Sequence, residues 1–289
     1  MIDLHLHSIN SDGSDKPEEL VCKAAVAGVS AIALTDHDNM GGAERFLAAC
    51  REKGITGIAG VEISAEIGEG QSSMHILGYG LDPRHPAMSE NMDRLLDGRA
   101  WRNGKILEKL GSLGVKLGWP EIKAYAGQDV VGRPHIAQAM VARKYVACVK
   151  EAFERYLAKG CPAYVDRYRM YPEDAINMIR AAGGVAVLAH PFSWKLNEHD
   201  LEIGLRDLKS LGLSGIEAVY TDYNAEQTVA LMRLALKLEL LTTGGSDYHG
   251  LSKPDISIGK GFGNLHVPDS YLPPLLEALG AENPWVTFI

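Results

Sequence analysis

The sequence predicts an α/β barrel interrupted by a helical insertion, and three observations carry that expectation. Short apolar runs alternate with helical patterns over residues 1–80. Between about Pro86 and Lys159 only helical periods occur, and after Tyr164 the alternation returns. The expected organisation is therefore a barrel from 1–85 and 160–289, with a helical insertion at 86–159 that selects the substrate.

Taken in order, IDLHL near the N-terminus reads as a strand. PEELVCKAAVA, Pro17 to Ala27, opens with proline and two acidic residues and is followed by Gly28, the start and stop signals of a helix. SAIALTDHD is a buried strand ending in a polar cluster. A second helix runs from about Gly42 to Lys53 and stops at Gly54. ITGIAGVEIS and SMHILGYGL are the third and fourth strands, and the β-α-β-α rhythm argues for a largely parallel sheet. MSENMDRLLDGRAWRNGKILEKLGSLG is one long helix, with WPEIKAYAG, RPHIAQAMVARK and VKEAFERYLAKG as shorter ones. The second half reads PEDAINMIRAAGG (helix), VAVLAHP (strand), DLEIGLRDLKSLG (helix), GIEAVY (strand), NAEQTVALMRLALKLE (helix) and LLTTGGSDYHG (strand and loop).

Composition sets bounds. The 289 residues are 46% hydrophobic and 23% charged, ordinary for a globular chain with a full core. No run of 18 apolar residues predicts a membrane span, and the start lacks the basic and apolar regions of a signal peptide. Cys22, Cys50, Cys148 and Cys161 form no CxxC pair, which suggests reduced thiols and a cytoplasmic setting. A net charge of −8 argues against coating of long duplex nucleic acid and leaves a small anionic ligand as the expected partner.

The histidines are placed unevenly. His5 and His7 end the first strand, two apart and so on one face. Asp12 follows in a Ser-Asp-Gly turn; His37 ends the second strand, Glu62 lies in the third and His75 in the fourth. His190 ends VAVLAHP, and Asp247 and His249 end LLTTGGSDYH. In α/β barrels catalytic groups gather at the C-terminal strand ends. A face of buried histidines and carboxylates without partners would be costly, so the pattern predicts a metal site. Nitrogen and oxygen donors without thiolate suit Mn²⁺, Zn²⁺ or Fe²⁺.

HxH followed by SDG, then LTDHD, GxE, MHILGYG, AHP and SDYH resemble, in that order, the PHP family, named for polymerase and histidinol phosphatase. The resemblance covers about 1–84 and 160–260. It implies a distorted (β/α)7 barrel holding two to three divalent ions, most readily Mn²⁺. It also implies the ligand sets: His5, His7, Glu62 and Asp247 for the first ion; Asp12, His37 and His249 for the second; and Glu62, His75 and His190 for a third. Ions bound there would make the site cationic within an acidic protein, attract a phosphate dianion and hold a hydroxide for in-line attack at phosphorus.

The insertion carries candidate phosphate contacts. Arg99, Arg102 and Lys105 recur at spacings of three on a helix, and Arg133, Pro134 and His135 open another, where backbone N–H groups favour anions. Arginine clamps suit phosphate. Trp194 and Tyr248 are candidates for contact with a nucleobase. Within the family this layout resembles the branch of nucleoside 3′,5′-bisphosphate phosphatases, related to 5′→3′ exoribonucleases of short RNA. That implies removal of the 3′-phosphate from pAp-like nucleotides. A histidinol-phosphate phosphatase or other small-molecule phosphatase, and a non-catalytic metal-binding regulatory subunit, are the alternatives. The second arginine cluster argues against the first, and the complete ligand set against the second.

Overall fold

Seven strands run round a barrel in chain order in the computed structural model, which describes residues 1–66, 73–126 and 130–288. Residues 127–129, which include the last residue of WPEIKAYAG and belong to the expected insertion, lie outside the described residues, as do 67–72 and 289 of the expected barrel. The strands are β1 (Ile2–Leu6), β2 (Ala31–Leu34), β3 (Thr56–Glu66), β4 (Ser73–Tyr79), β5 (Val185–Leu188), β6 (Gly215–Tyr220) and β7 (Leu241–Gly245). Helices α1 (Pro17–Ala27) and α2 (Ala43–Lys53) join the first three strands. Helices α7 (Pro172–Ala181), α8 (Glu198–Ser210) and α9 (Ala225–Lys237) serve the second half. Gly28 and Gly54 close α1 and α2 in the left-handed conformation, as the sequence signals require.

The pairs β1–β2, β2–β3, β5–β6 and β6–β7 are parallel. The expected parallel rhythm breaks at β4, which is antiparallel to both β3 and β5. The cause is length: the segment between Glu66 and Ser73 is too short for a crossover, which needs a dozen residues or more, and suffices for a hairpin. The reversal matters to the site. His75, near the start of β4, pairs with Ser64 near the end of β3 and so lies at the barrel end where the parallel strands finish.

The ring closes where β1 meets β7: His7 N–H donates to Tyr248 O at 3.0 Å, beside a parallel bridge from Leu6 to Tyr248. Closure demands a glycine at 245, because a Cβ there would stand 2.4 Å from the Cβ of His5. Along β2, Ile32 and Leu34 pack with the surrounding helices, while Ala31 and Ala33 join Ile2, Leu4, Ile58 and Val187 inside the barrel. That inner cluster is completed by Leu275 and Leu279 of α10 (Leu272–Leu279), which the sequence reading did not anticipate. A short final strand, β8 (Val286–Thr287), pairs antiparallel with β3.

Between β4 and β5 come α3 (Pro86–Ser112), α4 (Trp119–Lys123), α5 (Arg133–Ala142), α6 (Val149–Ala152) and one π-helical turn, Phe153–Leu157. Among the described residues this stretch contains no strand. Its apolar side chains, among them Ile106, Leu110, Ile122, Ile136, Met140 and Leu157, form a cluster of their own.

Candidate metal centre

His5 and His7 are fully buried at the exit of β1. The turn after them is held by Asp36, whose Oδ1 accepts from Ser8 N (2.7 Å) and Ser11 Oγ (2.6 Å) and whose Oδ2 accepts from Ser8 Oγ (2.6 Å). Gly13 completes the turn because a Cβ there would meet His7 O at 2.3 Å. The turn delivers Asp12 to the barrel mouth. At the end of β2, Asp38 N–H donates to Glu62 O and Glu62 N–H to Asp36 O, which clips His37 beside Glu62. Asp38, His190 and Asp247 all have positive φ (50°, 29° and 54°), a strained conformation for non-glycine residues that clusters at functional sites.

The side chains converge. Glu62 is the hub: Oε2 lies 3.4 Å from His5 Nε2, 3.2 Å from His7 Nε2 and 3.0 Å from His37 Nδ1. Its Oε1 lies 2.7 Å from His75 Nδ1 and 3.0 Å from His190 Nε2. Asp247 Oδ1 is 3.1 Å from His7 Nε2 and 3.5 Å from His5 Nε2, and Asp12 Oδ1 is 3.2 Å from His249 Nε2. Three groups have donor atoms all within 4.8 Å of one another: His5, His7, Glu62 and Asp247; His7, Asp12, His37 and His249; and His37, Glu62 and His75. The first matches the first expected ligand set, and the second adds His7 to the second set. The third takes His37 where the expected set has His190, although His190 reaches the same oxygen of Glu62.

Electrostatics fit a cation. Burial acts to raise the Glu62 carboxyl, yet His37, His75 and His5 hold it well below the usual range. Burial likewise opposes ionisation of Asp12, which His249 and His37 nevertheless keep far below the ordinary value. For Asp247 the counterweight to burial is Lys253, then His249 and His5. His75 goes the other way: burial brings it down to about 4 against the pull of Glu62, so it presents a neutral ring. Buried polar atoms normally find partners, but His5 Nε2, His7 Nε2, Asp12 Oδ1, His37 Nδ1 and Glu62 Oε2 have no hydrogen bond. Five orphaned atoms, each belonging to a residue of these three groups, are what divalent ions would satisfy.

Supporting groups complete the centre. His5 Nδ1 donates to Glu217 Oε1 (2.9 Å), and the other oxygen of Glu217 accepts from His190 N (2.8 Å). A carboxylate that fixes the tautomer of a ligating imidazole is a recurrent metal-site device. Tyr220 OH (2.8 Å) and Lys253 Nζ (2.6 Å) both donate to Asp247 Oδ2, leaving Oδ1 toward the histidines.

The predicted phosphate contacts separate. Arg99 and Arg102 are buried, but Lys105 points to solvent and pairs with Glu108 at 2.8 Å, so the structure does not bring it to the arginines. Arg99 Nε donates to Asp38 Oδ2 at 2.8 Å, binding the helical stretch to the barrel beside His37. Arg102 donates to Asn103 Oδ1, while its Nη2 is buried with no partner. Arg133 donates to Leu157 O, Pro134 lines the central cavity, and buried His135 accepts from Gly132 N–H. Two arginines escaped the sequence reading: Arg167 donates to Ser64 Oγ and Asp38, and Arg169 to Glu66 and Asp166. Burial first, then Arg99, Arg167, Arg133 and Arg169, hold the Arg102 guanidinium well below its ordinary value, a sign of crowded like charge. Neither Trp194 nor Tyr248 reaches the site. Trp194 belongs to the apolar core, and Tyr248 OH faces Asp15 and Lys23.

A cavity of about 330 Å³ opens over the centre. Asp12, Glu62, His75 and Asp247 form part of its floor; Pro134, Val149 and Phe153 from the helical stretch form a wall; Ser252 and Lys253 lie at its rim. All four cysteines are free, and no helix among the described residues is long and apolar enough to cross a membrane.

Residues 3–107 match the PHP domain. The chain is 32% identical, over 97% of its own length and 95% of the other's, to a 3′,5′-nucleoside bisphosphate phosphatase of Chromobacterium violaceum. It is 35% identical to a 5′-3′ exoribonuclease of Haemophilus influenzae, covering 94% of this chain and 96% of that one. Its fold superposes with a TM-score of 0.85 on a structure from Bifidobacterium adolescentis inferred to be a metal-dependent phosphoesterase, at 29% identity and covering 96% and 95% of the two chains.

Proposed function

Because the chain belongs to the PHP family of metal-dependent phosphoesterases, we propose that it removes the 3′-phosphate from nucleoside 3′,5′-bisphosphates, converting pAp to AMP and phosphate. His5, His7, Glu62 and Asp247 would hold one ion, Asp12, His37 and His249 a second, and His75 and His190 with Glu62 a third. The donor set suits Mn²⁺, with Zn²⁺ or Fe²⁺ as alternatives. Such ions would stabilise charge on the phosphoryl oxygens and acidify a water molecule.

The observation that carries the substrate assignment is the buried, uncompensated Arg102. Arg99 and Arg167 share Asp38, and Arg169 has Glu66 and Asp166, whereas Arg102 and Arg133 form no ion pair among the described residues. Two spare guanidiniums match one phosphate dianion, and leaving a charge buried without a counter-charge is expensive. In this reading residues 86–159 are a specificity insertion: Arg102 and Arg133 grip the 5′-phosphate, while Arg99 and His135 frame that pocket. The 3′-phosphate then lies over the histidines and carboxylates, beside Lys253 at the cavity rim. A short RNA bearing a 5′-phosphate is a second reading, since the same two arginines would anchor its first nucleotide. A phosphate-release screen with added Mn²⁺ compares pAp, AMP, histidinol phosphate and a short 5′-phosphorylated RNA. Fastest release from pAp supports the proposal; fastest release from histidinol phosphate overturns it.

A further inference from the structure

Polar side chains of the barrel make up most of the cavity lining, and the three apolar side chains beside them take no part in the metal chemistry. The wall of Pro134, Val149 and Phe153 is apolar and comes entirely from residues 86–159. Three further observations single out Phe153. It opens the only π-helical turn among the described residues, Phe153–Leu157, a wide geometry that recurs at functional sites. Its carbonyl is fixed by Ala158 N–H at 2.9 Å, which ties down the backbone carrying the ring. The Arg133 guanidinium lies 5.8 Å from the ring centroid and donates to Leu157 O at 3.1 Å in the same turn. The aromatic ring and one of the two arginines proposed to hold the 5′-phosphate are thus one construction.

Resting on the nucleotide reading above, we infer that Phe153 is the stacking platform for the substrate's nucleobase, with Pro134 and Val149 as its flanks. A nucleoside bisphosphate carries its base and its 5′-phosphate on one ribose, so a base platform in the cavity, with Arg133 packed against the same ring and the 3′-phosphate over the metal centre, sets the three parts side by side. Stacking uses the π-face that every base has. The platform therefore selects nucleotides over other bisphosphates and discriminates weakly among bases.

The test compares hydrolysis of pAp with that of ribose 3,5-bisphosphate, which lacks the base. The proteins are wild type, Phe153→Ala and Phe153→Trp, all with Mn²⁺. In parallel, quenching of an ethenoadenosine 3′,5′-bisphosphate reports stacking directly. Phe153→Ala should lower the ratio of kcat/KM for pAp over the abasic compound by about tenfold and abolish quenching; Phe153→Trp should restore both. An equal loss on both substrates, with quenching unchanged, would mean that Phe153 only packs its helix and would overturn the inference. Wild-type protein that hydrolyses the abasic compound yet neither binds nor cleaves pAp would overturn the nucleotide reading as well, a result distinct from the first.

Discussion

Replacing Glu217 by glutamine keeps the shape of the metal centre's support and removes its charge. The side chain is fully buried, with one oxygen accepting from His5 Nδ1 at 2.9 Å and the other from His190 N at 2.8 Å. Both neighbours are donors, and a glutamine offers a single acceptor oxygen, so its amide NH₂ must face one of them. Either His5 loses the partner that fixes its tautomer or the His190 backbone is pushed from its strained φ of 29°. A hydrogen bond to a charged group contributes about 1.5–3 kcal/mol. At about 1.4 kcal/mol per decade this corresponds to metal affinity weaker by roughly 10- to 100-fold, the range typical of such supporting carboxylates. The assay is calorimetric titration of Mn²⁺ into chelator-stripped protein, with far-UV circular dichroism to check the fold. A folded Glu217→Gln protein with wild-type Mn²⁺ affinity would refute the reasoning that His5 is a ligand positioned by Glu217.

Other perturbations test separate parts of the account. Arg102→Ala should raise KM for pAp by about 10- to 100-fold while affecting a nucleoside 3′-monophosphate far less; steady-state kinetics on both substrates check this, and equal losses would remove Arg102 as the 5′-phosphate contact. Gly13→Ala forces a Cβ onto the His7 carbonyl, 2.3 Å away, so Mn²⁺ binding should fall sharply in equilibrium dialysis although the substituted residue binds nothing. Asp38→Asn preserves a side chain tolerant of positive φ but strands Arg99 and Arg167, with an expected destabilisation of about 3–5 kcal/mol in urea unfolding. Burial resists ionisation of Asp38, but Arg99 and Arg167 hold its carboxyl far below the unfolded value of about 4. Its stabilising contribution is therefore present above about pH 4 and is lost as pH falls below it, so Asp38→Asn should flatten the acid limb of the stability curve.

The strands and helices were legible because their punctuation is local. Pro17, Gly28 and Gly54 stand where the structure starts or stops helices. The orientation of β4 was harder to read, since SMHILGY has the same alternation whichever way it runs; only the short connection before it carries the signal. The inward-facing histidines declared themselves through repeated two-residue spacing at strand ends. Their supports did not announce themselves as plainly, although Glu217 is the lone acid in the otherwise apolar run GIEAVY and could have been singled out on burial cost alone. The candidate phosphate contacts depend on tertiary placement. Arg102 and Lys105 look equivalent on a helical wheel, yet the packing of α3 buries one and leaves the other in solvent. Arg167 and Arg169 lie in an irregular segment with no periodicity to mark which way their side chains turn. Trp194 and Tyr248 are the sequence candidates for contact with a base, whereas Phe153, distant in sequence from the ligands, lines the cavity.

A metal centre acting on the 3′-phosphate beside an arginine pocket for the 5′-phosphate fixes the products of a single reaction. Purified protein with Mn²⁺ and pAp should release one phosphate per nucleotide and leave adenosine 5′-monophosphate, identified by chromatography, with no further release on long incubation. Accumulation of adenosine 3′-monophosphate, or continued release to adenosine, would contradict an arginine pocket that protects the 5′-phosphate while the metal centre acts on the 3′.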